Sequence, residues 1–184
     1  RAEGEEPAAL GRAGGRRAAV LHADLRDPDA CDRVVDETVD AFGRLDVLVN
    51  MASMYSQRPL DEVALEHWET QLAVDLRSAW LCARASIPHM RRLRGGRIIN
   101  FPDWVAASGR RGYKGYLPYF VAKRGVIGLT EALALELADD RILVNAIAPG
   151  PVLAPPGTTD EEYKAVEAAT PLGRCGGEEE IVKT

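Results

Sequence analysis

The sequence predicts an α/β fold built on a parallel sheet. Short apolar runs of strand type alternate with longer segments of helical pattern along the chain. Glycine, proline and aspartate mark most of the joins between them. Four runs read as strands: Arg17 to His22, Asp46 to Asn50, Arg97 to Phe101 and Arg141 to Ile147.

The elements follow in order. Gly11 to Gly15 reads as a helix-to-strand turn ahead of the first run. Asp27-Pro28-Asp29 opens a helix that runs to Phe42, with Pro28 suited to its first turn and Gly43 ending it. After the second run come loop residues, then a long helical stretch from Asp61 to Arg92 with a break at Ala73. Gly95-Gly96 stops it before the third run. Residues 102–116 read as a loop, and Pro118 opens a helix to Ala138. Pro149-Gly150 closes the fourth run. A short helix is expected at 160–169 and another from Glu178.

The 184 residues suffice for one domain with a core. A net charge of −5 argues against a nucleic-acid binder, which needs a basic stripe. Cys31, Cys82 and Cys175 form no C-x-x-C pair, so no zinc site or disulfide framework is indicated, and a reducing cytoplasm fits. No apolar run reaches membrane-spanning length. The first residues do not read as a signal peptide, and the chain lacks a starting methionine.

Tyr119 and Lys123 are four residues apart on a helix and so share a face. An ammonium near a phenol lowers the phenol pKa and prepares it for proton transfer to or from a reacting oxygen. The spacing alone is weak evidence, because an aromatic packed beside a lysine stem looks the same. Its place carries more: the pair opens a helix after a strand and loop, where ligands sit in open α/β folds.

At this point the chain resembles the short-chain dehydrogenase/reductase family, from about Ala18 to Gly173. The matching pieces stand in the family's order. They are Asp24-Leu25 after the first run, LVNMAS at 48–53, GRIIN at 96–100, Tyr119-Phe120-Val121-Ala122-Lys123 and VNAIAPGPV at 144–152. The resemblance implies a doubly wound, Rossmann-type sheet, NADP(H) or NAD(H), and homodimers or homotetramers through the long helices. It implies a catalytic Tyr119 and Lys123, with Lys123 on the nicotinamide ribose. It places Asp24, Leu25, Asn50, Ala52 and Ser53 toward the adenosine side, and Pro149, Gly150 and Val152 at the nicotinamide.

Three departures from the family pattern matter. Asp103 stands where the family's catalytic serine is usual. An ionised carboxylate only accepts hydrogen bonds, which suits a substrate offering N–H groups. Pteridine reductases in this family carry an aspartate there and an Asn-Ala-Ser run much like the one ending at Ser53. The alternative is that Asp103 caps a loop or pairs with Arg110 or Arg111, with Ser108 supplying the hydroxyl. Asp75 stands where an asparagine usually joins the proton relay. It is expected either to hold a water beside Lys123 or to pair with Arg77. Third, the glycine-rich phosphate loop is absent, since Gly11 to Gly15 follows a helix and precedes a strand, the wrong order for a pyrophosphate cradle.

In the doubly wound order 3-2-1-4-5-6 the four runs correspond to strands 3 to 6. Strands 1 and 2 would fill the gap between the first run and the second. Residues 1–184 are therefore expected to be one partial Rossmann-type domain, lacking a βαβ unit of roughly 40 residues at the start and the fold's C-terminal end. By itself it is expected to bind cofactor poorly. The function expected is NAD(P)H-dependent reduction of a carbonyl or a pterin-type C=N bond. A 3-oxoacyl-carrier-protein reductase or general alcohol dehydrogenase is the nearest alternative, and a non-catalytic dimerisation module the distant one. Trp104, Tyr113 and Tyr116 could stack on a flat substrate ring or simply pack within the loop.

Overall fold

The computed structural model describes residues 2–109, 114–153 and 158–184. The expectations on Arg110, Arg111, Tyr113 and the segment 155–157 fall outside them.

Three strands form the sheet: β1 (Val47–Asn50), β2 (Gly96–Asn100) and β3 (Ile142–Ala146), all parallel in the order β1-β2-β3. Leu48 pairs with Ile98 and Ile98 with Val144, so these side chains share one face. Both crossovers run through helices, as parallel neighbours require.

The fourth expected strand does not form. Residues 16–24 carry no regular structure. A strand needs a neighbour for its N–H and C=O groups, and no described strand pairs with this segment. A cavity of about 260 Å³ is lined by Leu21, Ala23 and Leu25 together with Leu48, Val49 and Asn50 of β1. Among the described residues β1 has β2 as its only strand neighbour.

Helix α1 spans Ala2–Ala13 and α2 spans Pro28–Phe42. The Asp27 side chain accepts from Asp29 N at 3.1 Å at the start of α2, and Gly43, with φ 79°, turns the chain out of it. The long helical stretch begins later than expected. A 3₁₀ turn at Leu60–Glu62 precedes α3 (Leu65–Leu72), a π-helical segment at Ala73–Arg77 and α4 (Ser78–Arg92). The break foreseen at Ala73 is this π segment, where Ser78 N donates to Ala73 O, five residues back. The expected loop 102–116 contains a short helix, α5 (Trp104–Ser108). Helices α6 (Leu117–Glu136), α7 (Asp160–Ala169) and α8 (Glu178–Lys183) complete the order.

Helix α4 lies across all three strands, α2 packs on α4, and α6 packs on β3 and against α3 and the π segment. These helices cover one face of the sheet. The core beneath them joins Ile98, Ile142 and Val144 to Ala83, Met90 and Leu137. On the other face Val47, Val49 and Leu143 are 45%, 46% and 55% exposed. Cys31 and Cys82 are buried free thiols where α2 meets α4, and burial pushes Cys82 up to about 12.

Gly96 admits no side chain. A Cβ there would stand 2.6 Å from Met90 Cγ and Sδ, and Met90 is fully buried. Gly96→Ala is expected to destabilise the protein by about 1–3 kcal/mol through overpacking, read as a lower urea midpoint.

Candidate active site

The site lies at the C-terminal ends of the strands. Four elements reach it: the loop after β1, the π segment, the start of α5 after β2, and the first turns of α6.

Lys123 and Tyr119 are both buried, on successive turns of α6. A buried ammonium must be paired and hydrogen-bonded. Lys123 Nζ donates to Phe101 O at 2.9 Å and lies 3.4 Å from Asp75 Oδ1. It also stands 5.6 Å from the centre of the Tyr119 ring.

Asp75 is held in turn. Oδ1 accepts from Ser53 Oγ, and Oδ2 accepts from Met54 N at 3.1 Å and Gln71 Nε2 at 2.6 Å. Gln71 Nε2 also donates to Met54 O at 2.7 Å, so this side chain ties the loop after β1 to the helix. Both oxygens of Asp75 act as acceptors, the pattern of an ionised carboxylate. The alternative pairing with Arg77 does not occur: Arg77 donates to Arg26 O at 2.7 Å, while Asp75 faces inward.

Asp103 has two roles, and the two readings of it in the sequence are not exclusive. Oδ1 accepts from Val105 N at 2.7 Å and caps α5, while Oδ2 accepts from Tyr119 Oη at 3.0 Å. This reverses the expectation for the tyrosine. Burial first, then the Asp103 charge and hydrogen bond, push the Tyr119 phenol above its ordinary value. The predicted lowering by Lys123 is not seen, because the phenol is buried, Asp103 faces it and Asp75 faces the ammonium.

Two cavities adjoin this cluster. The one between residues 21–25 and β1 is lined by Leu25, Asn50, Ala52 and Asp75. The second, about 570 Å³, is lined by Tyr55, Asp103, Trp104, Pro149, Gly150 and Val152. The predicted cofactor residues thus divide between two walls. Asp24, Ser53, Tyr119 and Lys123 line neither. Asp24 is on the surface, where Arg26 holds its carboxylate at about 2. Ser53 serves Asp75. Asn50 has an internal duty: its amide donates to Asn100 Oδ1 at 2.9 Å and to Ala79 O at 3.2 Å. Asn100 passes this on to Thr130 Oγ1 at 3.0 Å, bracing β1, β2 and α6 together.

Two residues were not singled out from sequence. Gln71 lies one turn before Asp75, and that i,i+4 spacing of amide and carboxylate was a usable signal. Tyr55 stacks on Tyr116 at 4.5 Å between ring centres and meets Tyr119 edge-on at 5.0 Å. Tyr116 therefore packs against protein.

A family model described as enoyl-(acyl carrier protein) reductase matches residues 1–184, the whole chain. The chain belongs to the short-chain dehydrogenase/reductase family. Among relatives of this family, a 3-oxoacyl-[acyl-carrier-protein] reductase of a Synechocystis species is 35% identical over 172 residues, covering 94% of this chain and 68% of that protein. A (2S)-[(R)-hydroxy(phenyl)methyl]succinyl-CoA dehydrogenase subunit of Thauera aromatica is 35% identical over 172 residues, covering 92% and 68%. A solved short-chain dehydrogenase/reductase of Serratia marcescens superposes with a TM-score of 0.89 at 31% identity, covering all of this chain and 74% of that one. The chain thus spans about two thirds to three quarters of the length of these short-chain relatives. Their family is one of NAD(P)-dependent oxidoreductases. No described helix is long and apolar enough to cross a membrane, and no described group of side chains could hold a metal ion.

Asp75→Leu leaves the Lys123 ammonium buried without its counter-charge and is expected to cost about 3–5 kcal/mol. Gln71→Leu, which strands Met54 O, is expected to cost about 1–3 kcal/mol. Urea denaturation of both variants checks the order of the two losses.

Proposed function

We propose that this protein is an NADPH-dependent reductase acting on a carbonyl or a pterin-type C=N bond. The observation that carries the reading is the hydrogen bond from Tyr119 to Asp103, with Lys123 buried one turn away. The phenol is kept as a proton donor beside Asp103, which lines the larger cavity.

The residues fit a dinucleotide. The C-terminal ends of parallel strands open onto an apolar wall with Leu25 and Ala52 on one side, and onto the backbone of Pro149, Gly150 and Val152 on the other. When bound, the reduced nicotinamide supplies the hydride. Tyr119 gives its proton to the substrate oxygen or nitrogen. Lys123 would hold the ribose and Asp75 steadies Lys123; Asn50 and Ala52 would line the adenosine side, with Ser53 acting there through Asp75 and Asp24 on the surface toward the adenine.

Asp103 selects the substrate. Asp103 lines the cavity as an acceptor, its Oδ2 already holding the Tyr119 hydroxyl, and Tyr55, Trp104 and Tyr163 supply aromatic walls. An N–H-bearing flat ring suits that combination, which favours the pteridine-reductase-like branch. A second reading has a specific basis too: the Synechocystis relative is a 3-oxoacyl-[acyl-carrier-protein] reductase. In that case a β-keto thioester enters the same cavity. The protein acts in the cytoplasm as a homodimer or homotetramer, through the outer faces of α4 and α6, where Trp80 and Leu135 are exposed.

The test uses full-length protein with NADPH and either a dihydropterin or a 3-oxoacyl thioester. Tyr119→Phe is expected to lower NADPH oxidation by about 10²-fold or more, and unchanged turnover would sink the mechanism. Asp103→Ala is expected to damage dihydropterin reduction far more than ketone reduction. Equal damage, or activity on the thioester alone, favours the carbonyl reading. Absence of a thermal shift with both nicotinamides favours a non-catalytic module.

A further inference from the structure

The charges around Tyr119 do not add up to those of a phenol tuned for both directions of hydride transfer. On its own helix, Lys123 is the near cation. From the π segment Asp75 meets that ammonium at 3.4 Å, with both side chains almost wholly buried. From the N-terminus of α5, Asp103 accepts the phenolic hydrogen itself. From the loop after β1 comes Tyr55, and from the turn before α6 Tyr116, both uncharged rings. Arg124, the next cation along α6, is turned to Ala106 O of α5. Among the described residues the immediate surroundings of Tyr119 are therefore one ammonium and two carboxylates.

We propose that Asp75, clamped by Gln71 and Ser53, is the counter-ion of Lys123, and that together with Asp103 it holds Tyr119 as a neutral phenol in the resting site, the form that reduction uses. The assignment of Tyr119 as the proton donor is taken from the function proposed above. Asp75 is here a positioning residue, since it acts through Lys123.

The effect is electrostatic. An unopposed ammonium favours the phenolate. Here its charge is met by a carboxylate at ion-pair distance inside the protein, where solvent screens little. Ionising Tyr119 would also place a phenolate oxygen 3.0 Å from a carboxylate oxygen, two like charges in contact. Alcohol oxidation needs that phenolate as a base. Reduction needs the phenol as an acid, and this arrangement supplies it. In the reducing direction a hydride adds to the substrate carbon, and the C=O or C=N bond becomes single. The Tyr119 O–H bond breaks, and its proton goes to the substrate oxygen or nitrogen. Solvent then returns one proton to the phenolate, which the two carboxylates make strongly basic. The sum is one hydride from the reduced nicotinamide and one proton from water per substrate.

Gln71 is what makes the arrangement durable. It is only 4% exposed, and it bonds both Asp75 and the backbone of the loop after β1. Asp75 therefore cannot swing away from Lys123 without breaking bonds to two elements.

The test is direct titration of Tyr119 in full-length protein, by the ultraviolet difference signal of tyrosinate against Tyr119→Phe. It reads the phenol and needs no turnover. In the wild type, no Tyr119 signal is expected before alkali unfolds the protein. In Asp75→Asn and in Asp103→Ser the midpoint is expected to fall by about one pH unit or more, a tenfold gain in phenolate at fixed pH. A wild-type Tyr119 that ionises at or below the ordinary tyrosine value of about 10 overturns the proposal. So do variants that titrate where the wild type does. If Asp75→Asn does not fold, Asp103→Ser and the wild-type curve still decide. Should the titration fail while Tyr119→Phe abolishes NADPH oxidation, the catalytic assignment stands and only the counter-ion role is lost.

Discussion

The burial of one ammonium group organises the centre of this molecule. Lys123 sits almost entirely out of solvent on a helix that packs against the sheet. A charge in that position is tolerated only with partners. It recruits the carbonyl of Phe101 at the end of β2 and the carboxylate of Asp75 from the π segment. Asp75 then needs donors of its own, and finds them in Ser53, Met54 N and Gln71. Three separate stretches of chain are fixed in register by the requirement to satisfy a single cation.

The asparagine brace between β1, β2 and α6 works beside this network on uncharged terms. Asn50, Asn100 and Thr130 form a chain of hydrogen bonds across the strand ends. Among the described residues no buried side-chain nitrogen or oxygen lacks a hydrogen-bond partner, so the layer between sheet and helices holds its polar side chains without an evident penalty. The charged cluster rests on this floor, and Tyr119 is linked to the larger cavity by Asp103, which lines it.

The sequence made the framework legible and the electrostatics only partly so. The three paired strands fell within a residue or two of their expected places, because β-branched runs between glycine and proline joins have few other readings. Arg17 to His22 looks equally strand-like, yet forms none, since pairing depends on a neighbour that a local pattern cannot reveal. Tyr119, Lys123, Asp103 and Asp75 were all recognisable from ordered motifs, and the structure brings all four together. The rise at Tyr119 is not legible in the sequence. Spacing along a helix shows that a lysine is near a tyrosine. It does not show that a carboxylate from another element already faces that lysine, or that Asp103 faces the phenol. Gln71 stood in plain view with an acid one turn later, but its importance comes from Met54 O, seventeen positions away in the chain.

The π segment at Ala73–Arg77 has a consequence for how this protein can change over evolutionary time. A π turn holds one residue more than an α turn. The wider turn takes up that residue locally, so the helix runs on from α3 into α4 while Asp75, inside the wide turn, meets Lys123. Loss of one residue between Leu72 and Ser78 would close the turn to a regular helix and leave its two halves nearly in phase. What would be lost is the placement of Asp75 between Gln71 and Lys123. The helix could therefore survive such a shortening while the buried ammonium lost its partner.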